Sequence, residues 1–520
     1  MPGASRTSSG FSWNPWIMSE MSSAAVDPPG SSGDPSLVGE SEAVRRSGLL
    51  LVLLGGGLVC LVAVLTRARS LTEEDSINLA RALEHYTVAR DQPQAPGYPL
   101  VVLAAHAFRW IGSPVDAYQV VDVVATVFAI FMTFLLGREM FGRRAGVTAA
   151  LIVCATPLVL YYASVASVYP TEMFVIPAVA FLAHRVATRA DRWSAVLLFP
   201  VLALGGGFRP TTLVLMLPAC LVGAVVGRPR ARDVILGAAA GCAIVAAWAI
   251  PMIVKSGGWH AYRAASNALY ERQFRATSIL YGADLQQVAF NAKNTLGAIL
   301  MVALPAVLVV LFAYRRNGSA VELGRPSLWI LVASIVPYLF IYFVFQFGKP
   351  GYALAFVPLF AVLAGGLVAN SKRAIPAAGV VAGLLILGYL TLPHWPLPWR
   401  LDAFAPTSEA IHVQDQEAFA LRNLGTECPA ASCTIVSLPG SLRYWYHEPS
   451  ALAGWYAPAS RVVPITDVNT GNAPSGKVLW IGTAVPQAVR DLATPKNPAG
   501  SWNIYLSSPA VTTKILARGI

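Results

Sequence analysis

Residues 73–75 are three consecutive acids, Glu-Glu-Asp, just beyond the first long apolar run of the chain. Leu79 and Leu83 follow at helical spacing, which predicts an amphipathic helix that could lie along a membrane surface. A carboxylate at this level could act as a general base toward an acceptor while a lipid-linked donor stays in the bilayer. From these residues alone a structural role is favoured, because Thr72-x-x-Asp75 is a capping box and acids stabilise the first turn of a helix.

Two cations, Arg209 and Lys349, lie at predicted outer junctions between apolar runs. They run against the expected concentration of basic residues on the inner side, and cations near membrane depth are functional candidates. A lipid phosphate is a natural partner, since a guanidinium matches phosphate oxygens as a fork. Snorkelling toward lipid headgroups is the alternative for both.

Two further segments combine rigid backbone with polar side chains. In Gln94-Ala-Pro-Gly-Tyr-Pro-Leu100, two prolines flank a glycine, so Tyr98 follows a stiff turn that is either part of a site or simply an elbow. In Ser167-Val-Tyr-Pro-Thr-Glu172, the residues Tyr169 and Glu172 lie at the outer mouth of a predicted span. They form either a structural polar pair or part of a site.

The chain that must position these residues is strongly apolar. Of its 520 residues, 55% are hydrophobic and 12% charged, and its mean hydropathy is +0.56. Soluble domains carry about 25% charged residues. The composition indicates a polytopic membrane protein and excludes a soluble enzyme, a disordered chain and a disulfide-rich secreted module. The net charge of +11 comes with no basic stripe interleaved with aromatics, so we expect no nucleic-acid partner.

The apolar runs predict about eleven transmembrane helices. The first follows Arg46 and ends near Leu65, and the others are 117–137, 145–162, 168–187, 194–207, 210–227, 234–254, 297–314, 327–347, 352–369 and 375–391. Clusters of Arg and Lys fall on every second connection. This is the positive-inside pattern of a multi-pass plasma (inner) membrane protein with a cytoplasmic N-terminus and an outer C-terminus.

Three regions follow from this pattern. Residues 1–44, rich in Ser, Gly and Pro, are predicted to be a disordered cytoplasmic tail. Residues 45–391 form the transmembrane domain, with large outer loops at 67–116 and 255–296. Residues 98–112 within the first loop are too short to span, so we expect them flat on the outer surface or re-entrant.

The C-terminal region, residues 392–520, contains short alternating runs separated by Pro, Gly and Asn. It is predicted to be a small extracytoplasmic α/β or β-rich domain. Cys428 and Cys433 are the only cysteines outside predicted spans. In an oxidising exterior they could pair across a short loop, and two free thiols are the alternative.

Taken in order, these motifs resemble the GT-C superfamily of integral-membrane glycosyltransferases, in particular the branch of protein O-mannosyltransferases and bacterial aminoarabinose transferases. The resemblance covers roughly residues 45–391. It rests on five segments: Glu74-Asp75-Ser76 followed by Ala80-Arg81, then Ala95-Pro-Gly-Tyr-Pro99, Ser167-Val-Tyr-Pro-Thr-Glu172, Gly207-Phe-Arg-Pro210 and Gly348-Lys-Pro-Gly-Tyr352.

The resemblance implies hexosyl or pentosyl transfer from a polyprenyl-phosphate-sugar donor at the outer face. Asp75 matches the family's essential first-loop acid, the general base, with Glu74 as second choice. Arg209 and Lys349 would hold the departing lipid phosphate. Further substrate-site candidates are Tyr98, Tyr169, Glu172 and Tyr352. The acceptor class, which could be protein, lipid or polysaccharide, stays open.

The sequence contains no HExxH, no CxxC pair and no Walker A motif. We therefore predict no cofactor and no metal, although a divalent ion remains open because some relatives bind metal in the first loop. Two other functions compete with glycosyl transfer: a transporter or flippase of lipid-linked saccharide, and a non-catalytic membrane scaffold. The near absence of acids inside the spans and of an internal repeat weighs against transport.

Overall fold

The computed structural model describes residues 42–71, 73–275, 277–314, 323–345, 349–395, 404–438 and 449–518. Most of the tail predicted for residues 1–44 lies outside these ranges. Its last residues, from Glu42 on, are helical and continue into the first apolar run.

Helices dominate the chain up to residue 395. They are α1 Glu42–Leu65, α2 Glu74–Glu84, α3 Pro99–Ala107, α4 Pro114–Phe141, α5 Arg143–Ala155, α6 Pro157–Ser164, α7 Tyr169–Arg189, α8 Arg192–Phe208, α9 Pro210–Gly227, α10 Ala231–Lys255, α11 Trp259–Leu269, α12 Leu285–Ala313, α13 Arg325–Val344, α14 Val357–Leu367 and α15 Ala374–Thr391. A 3₁₀ helix, Pro350–Phe356, leads directly into α14.

Within the described ranges, eight segments are long and apolar enough to cross a membrane, or nine if the bent pair α5 and α6 is one span. The eight are residues 48–65 of α1, α4, α9, α10, α12, α13, the 3₁₀–α14 segment and α15. The prediction of a polytopic helical membrane protein is confirmed. The predicted spans at 168–187 and 194–207 are also helical, as α7 and α8, but they do not add to that count, so the number eleven stays a prediction.

The predicted span 145–162 is broken in the structure. The helices α5 and α6 meet at Thr156 with a bend of 61°. The physical reason is Pro157 at the first position of α6, which lacks the N–H that an uninterrupted helix would need there. A continuous apolar run thus conceals a proline break.

The first loop packs into the protein. Helix α2 buries Leu79 and Leu83 in the main apolar core. Its N-cap is Glu73, whose backbone N–H donates to Ser76 Oγ at 3.2 Å. The predicted capping box used Thr72, which lies outside the described residues. Residues 98–112 form α3 and a short 3₁₀ turn, in agreement with a segment too short to span.

The C-terminal region is a small α/β domain built on one five-stranded sheet. Its elements are α16 Ser408–Glu427, β1 Cys433–Ser437, α17 Pro449–Tyr456, β2 Arg461–Pro464, β3 Lys477–Gly482, α18 Gln487–Leu492, β4 Thr494–Ala499, β5 Trp502–Ser507 and α19 Pro509–Ala517. The strand order is β2-β1-β3-β5-β4, with β1 parallel to β2 and β3, and β5 antiparallel to β3 and β4.

Both faces of this sheet are covered. On β1, Ile435 packs into one apolar cluster and its neighbour Val436 into another, because successive side chains point to opposite faces. Cys428 and Cys433 form a disulfide between the end of α16 and the start of β1.

Candidate active site

The acid-bearing start of α2 contacts the segment that precedes α14. Lys349, the N-cap of the 3₁₀ helix, is only 6% exposed and lies with its Nζ 3.2 Å from Glu73 Oε2. The same Nζ donates to Asp75 Oδ2. The side chains of Glu73 and Asp75 are 21% and 29% exposed, so both carboxylates are partly accessible from solvent. One buried cation is thus shared by two acids of the first loop.

A second ion pair is buried more deeply at the junction of α8 and α9. Arg209 ends one helix and caps the next, because Pro210 begins α9. Its Nη1 donates to Glu172 Oε2 in the first turn of α7. The other oxygen, Oε1, accepts from Thr212 Oγ1 at 2.8 Å and from the Tyr338 hydroxyl at 3.1 Å. Glu172 is 2% exposed, so it acts as an anchor for Arg209 rather than as a solvent-facing acid.

Aromatic rings flank the Arg209 guanidinium. Its Cζ lies 4.8 Å from the ring centroid of Tyr352 and 5.3 Å from that of Tyr169, within cation–π range. Tyr342 stacks on Tyr352 at 5.1 Å. Gly351 makes this arrangement possible, because a Cβ there would lie 2.3 Å from the Tyr169 ring. The orientation of Arg209 is therefore fixed on several sides.

Tyr98 lies near both the acid Asp75 and the cation Arg209. It is buried and adopts a left-handed backbone conformation, with φ 44°, directly after Gly97 at φ 112°. The Tyr86 hydroxyl donates to the Gly97 carbonyl at 2.6 Å and holds the turn. Burial raises the pKa of Tyr98 well above its usual value, while Arg209 lowers it and Asp75 raises it. The phenol stays protonated and lies within electrostatic reach of both charged groups.

The structure therefore brings together most of the residues singled out from the sequence. These are Asp75, Arg209, Lys349, Tyr98, Tyr169, Glu172 and Tyr352. Glu74, the second choice for the acid, lies half-buried in the first turn of α2, between the two acids that contact Lys349.

Sequence reasoning missed four members of the cluster. Glu73 was recognised as one of the three acids but was given no role. Thr212 lies in the outer junction that was singled out for Arg209, but it was given no role, and Tyr338 and Tyr342 lie inside a run that was interpreted only as a span. The available signal was the presence of hydroxyl-bearing residues within apolar runs, one of them three positions after Arg209.

In the part of the chain that the structure describes, no group of three or more His, Cys, Asp or Glu side chains could hold a metal ion.

The bundle of apolar helices, with an acid-bearing first loop and two cations at the same site, has the fold of a polytopic integral membrane protein. The fold is similar to that of ArnT from Cupriavidus metallidurans in the apo state, with a TM-score of 0.52 and 13% identity over 90% of this chain and 99% of that chain. The structure of the same ArnT bound to undecaprenyl phosphate gives a TM-score of 0.52 and 13% identity over 88% and 98% of the two chains.

The arabinofuranosyltransferase AftD from mycobacteria is more distant, with a TM-score of 0.44 and 13% identity over 87% of this chain and 39% of that one. No protein-family model matches the sequence, and no curated protein matches it. The similarity therefore lies in the fold.

Proposed function

We propose that this protein is a membrane glycosyltransferase that moves a sugar from a polyprenyl-phosphate-linked donor to an acceptor hydroxyl. The observation that carries the proposal is the buried Lys349, which two first-loop acids share close to the Arg209–Glu172 pair. Acids for proton transfer and cations for a phosphate thus lie at one site. The resemblance in fold to ArnT, whose structure was determined with undecaprenyl phosphate, supports a lipid-phosphate donor.

The two cations would bind the phosphate of the donor. The planar guanidinium of Arg209 carries five N–H groups, and one on Nη1 donates to Glu172. The flanking tyrosine rings hold the guanidinium in place. Lys349 would turn from the carboxylates toward the phosphate. Both charges then stabilise the phosphate oxygen as it departs.

Asp75 would accept the proton. In the structure its carboxylate is paired with the ammonium group of Lys349. When the donor phosphate draws Lys349 away, Asp75 is free to take the proton of the acceptor hydroxyl. The acceptor oxygen forms a bond to the anomeric carbon, the bond from that carbon to the phosphate oxygen breaks, and polyprenyl phosphate leaves with the bonding electrons.

The site would face the outer side of the plasma membrane. The cluster lies at the N-terminal end of α7 and α9, whereas Arg189 and Arg228 lie at their opposite ends. Basic residues mark the cytoplasmic side. With this orientation the C-terminal domain is extracytoplasmic and the N-terminus cytoplasmic. The sugar, whether hexosyl or pentosyl, and the acceptor are to be identified by assay.

The experiment offers the purified protein a panel of radiolabelled polyprenyl-phosphate sugars, with a crude envelope extract as the source of acceptor. We expect wild-type transfer from one donor and a ~10²–10⁴-fold loss in Asp75→Asn, the usual contribution of a general base. Glu84→Gln is the matched control, because this acid is exposed at the far end of the same helix.

Equal transfer by wild type and Asp75→Asn would remove Asp75 as the base. A donor that is bound but never consumed by the wild type would overturn the glycosyltransferase assignment and favour a transporter or a scaffold.

A further inference from the structure

The C-terminal domain grips the loop that carries the acids. The backbone N–H of Arg69 donates to both carboxylate oxygens of Asp415, on α16, at 3.0 Å and 2.9 Å. The Ser70 hydroxyl donates to the same carboxylate at 2.5 Å. The Tyr456 hydroxyl, at the end of α17, accepts the backbone N–H of Leu71 at 2.6 Å. Two C-terminal side chains thus bind three consecutive residues.

These contacts are largely buried, and most of them are made to the main chain. Asp415 is 7% exposed and Tyr456 is 5% exposed, so the bonds to Ser70 and Leu71 are buried and those to Arg69 are partly buried. A carboxylate that accepts backbone N–H groups makes charge-assisted hydrogen bonds, which are stronger than neutral ones. Because two of the three partners are backbone amides, the contact fixes the path of the chain rather than the orientation of one side chain.

The same helix, α16, also contacts the membrane bundle. Gln414, next to Asp415, hydrogen-bonds through its side-chain amide to the Tyr161 hydroxyl of α6, at 2.9 Å from Nε2. Further along the same helix, the Arg422 guanidinium lies 5.5 Å from the centroid of the Tyr456 ring. The first half of α16 therefore contacts both α6 and the first loop.

The gripped residues end just before the site. Leu71 is followed within two positions by Glu73, the N-cap of α2, and then by Asp75. A displacement of the chain at residues 69–71 would move the carboxylates relative to Lys349. Displacements of about 1 Å at a reacting group can cost ~10²-fold in rate.

We infer that Asp415 is a positioning residue of the active site, through which the C-terminal domain sets the place of the acids Glu73 and Asp75. The catalytic part of this inference rests on the function proposed above. The mechanical part, that Asp415 holds residues 69–71, can be measured without any activity.

The mechanical test is hydrogen exchange of the full-length protein, followed by mass spectrometry of peptides that cover residues 66–76. In Asp415→Asn the amide group cannot accept at its nitrogen and carries no charge, so exchange in this segment should be about tenfold faster or more. Glu417→Gln is the matched control. It lies on the same helix, but its carboxylate accepts from Ser501 within the C-terminal domain. Unchanged exchange in Asp415→Asn would overturn the inference.

The catalytic test is a double-mutant cycle with Asp75→Asn in the transfer assay. Alone, Asp415→Asn should lower kcat about 10²-fold with little change in the KM of the donor. Combined with Asp75→Asn it should add almost nothing, because it acts through the acid that is already lost. Losses that multiply, or a loss confined to KM, would overturn the positioning role.

The two tests separate the two proposals. The wild type could transfer no sugar while Asp415→Asn still exchanges faster in residues 66–76. The proposed function and the catalytic role of Asp415 would then both be wrong, but the inference that Asp415 holds residues 69–71 would be confirmed. Tyr456→Phe gives an independent variant, since it removes only the hydroxyl that binds Leu71. It should accelerate exchange in the same peptides.

Discussion

Lys349 lies with its ammonium group between two carboxylates of the first loop, 3.2 Å from Glu73 Oε2 and in contact with Asp75 Oδ2. The cation proposed to bind the donor phosphate is therefore paired, in the structure, with the acid proposed to be the base. A phosphate must compete with these carboxylates for the same ammonium. Variants that remove the cation and variants that remove the acid should then change the binding of lipid phosphate in opposite directions.

The first prediction concerns undecaprenyl phosphate without a sugar, measured as a Kd with the purified protein. Lys349→Met removes the charge and keeps an unbranched apolar side chain of similar length. It should weaken binding about tenfold or more, since hydrogen bonds to charged groups contribute about 1.5–3 kcal/mol. Asp75→Asn should bind the lipid as well as the wild type or better, because a competitor for the ammonium is gone. Lys255→Met, at the exposed end of α10, is the control. Wild-type affinity in Lys349→Met would contradict the phosphate role.

The second prediction separates the neighbouring acids. Glu73 contacts Lys349 and caps α2, so Glu73→Gln should lower transfer about tenfold, less than Asp75→Asn does, through a displaced Lys349. Glu74→Gln should have a smaller effect than either. The measurement is kcat for the three variants on one donor. If Glu74→Gln proves the most damaging, the acid suggested second by the sequence is the base and Asp75 is not.

The third prediction concerns the buried Glu172–Arg209 pair. Glu172→Gln leaves the guanidinium buried without its counter-charge, which destabilises proteins by about 3–5 kcal/mol. We expect a clearly lower midpoint of thermal unfolding in detergent, and a smaller loss in the double variant Glu172→Gln/Arg209→Met than the sum of the two single losses.

Arg189→Gln provides the reference for that measurement. It breaks the ion pair with Glu139, in which the arginine side chain is 58% exposed, and should cost at most about 1 kcal/mol. Equal effects of the buried and exposed variants would show that Glu172 does not anchor Arg209.

Much of the membrane domain could be predicted because hydrophobic length is a local property of the sequence. Within the described residues every predicted span is mainly helical, although the span 145–162 is divided between α5 and α6, and the segment 98–112 contains only the short helix α3 and a 3₁₀ turn. The break at Thr156 was missed because Pro157 lies within a continuous apolar run, where hydropathy averages over it. The break depends on the missing N–H of the single residue Pro157, which an average of hydropathy does not detect.

The candidate site was only partly accessible for a different reason. Asp75, Arg209 and Lys349 could be singled out because charge at membrane depth is unusual. Tyr338 and Asp415 could not, because their roles depend on partners far away in the chain: Tyr338 donates to Glu172, and Asp415 binds a residue 346 positions earlier. The hydrophobic period of a single segment does not predict hydrogen bonds between residues far apart in the chain.

The fourth prediction tests the orientation. A reporter that is active only outside the cytoplasm, such as alkaline phosphatase, should be active when fused after Arg518 and inactive when fused after Tyr314, which follows α12 at the basic end of the bundle. A fluorescent protein that folds only in the cytoplasm should give the opposite pattern. The reverse result at both positions would place the site on the cytoplasmic side and exclude an outer-face donor.

The fifth prediction uses Gly351, where the tyrosine shell is tightest. A Cβ at this position would lie 2.3 Å from Tyr169 Cδ2, so in Gly351→Ala the ring must move away from the Arg209 guanidinium, which it now contacts at 5.3 Å. Overpacking of this kind costs about 1–3 kcal/mol of stability, and the displaced ring should lower transfer ~10–10²-fold. Gly383→Ala, in α15, is the control, since nothing lies within 4 Å of its Cβ position and alanine is the better helix former by about 1 kcal/mol. Because both changes add a single methyl group, a loss in Gly351→Ala alone would show that the Tyr169 ring holds Arg209 in its working orientation. Equal activity in the two variants would show that Arg209 does not depend on this ring.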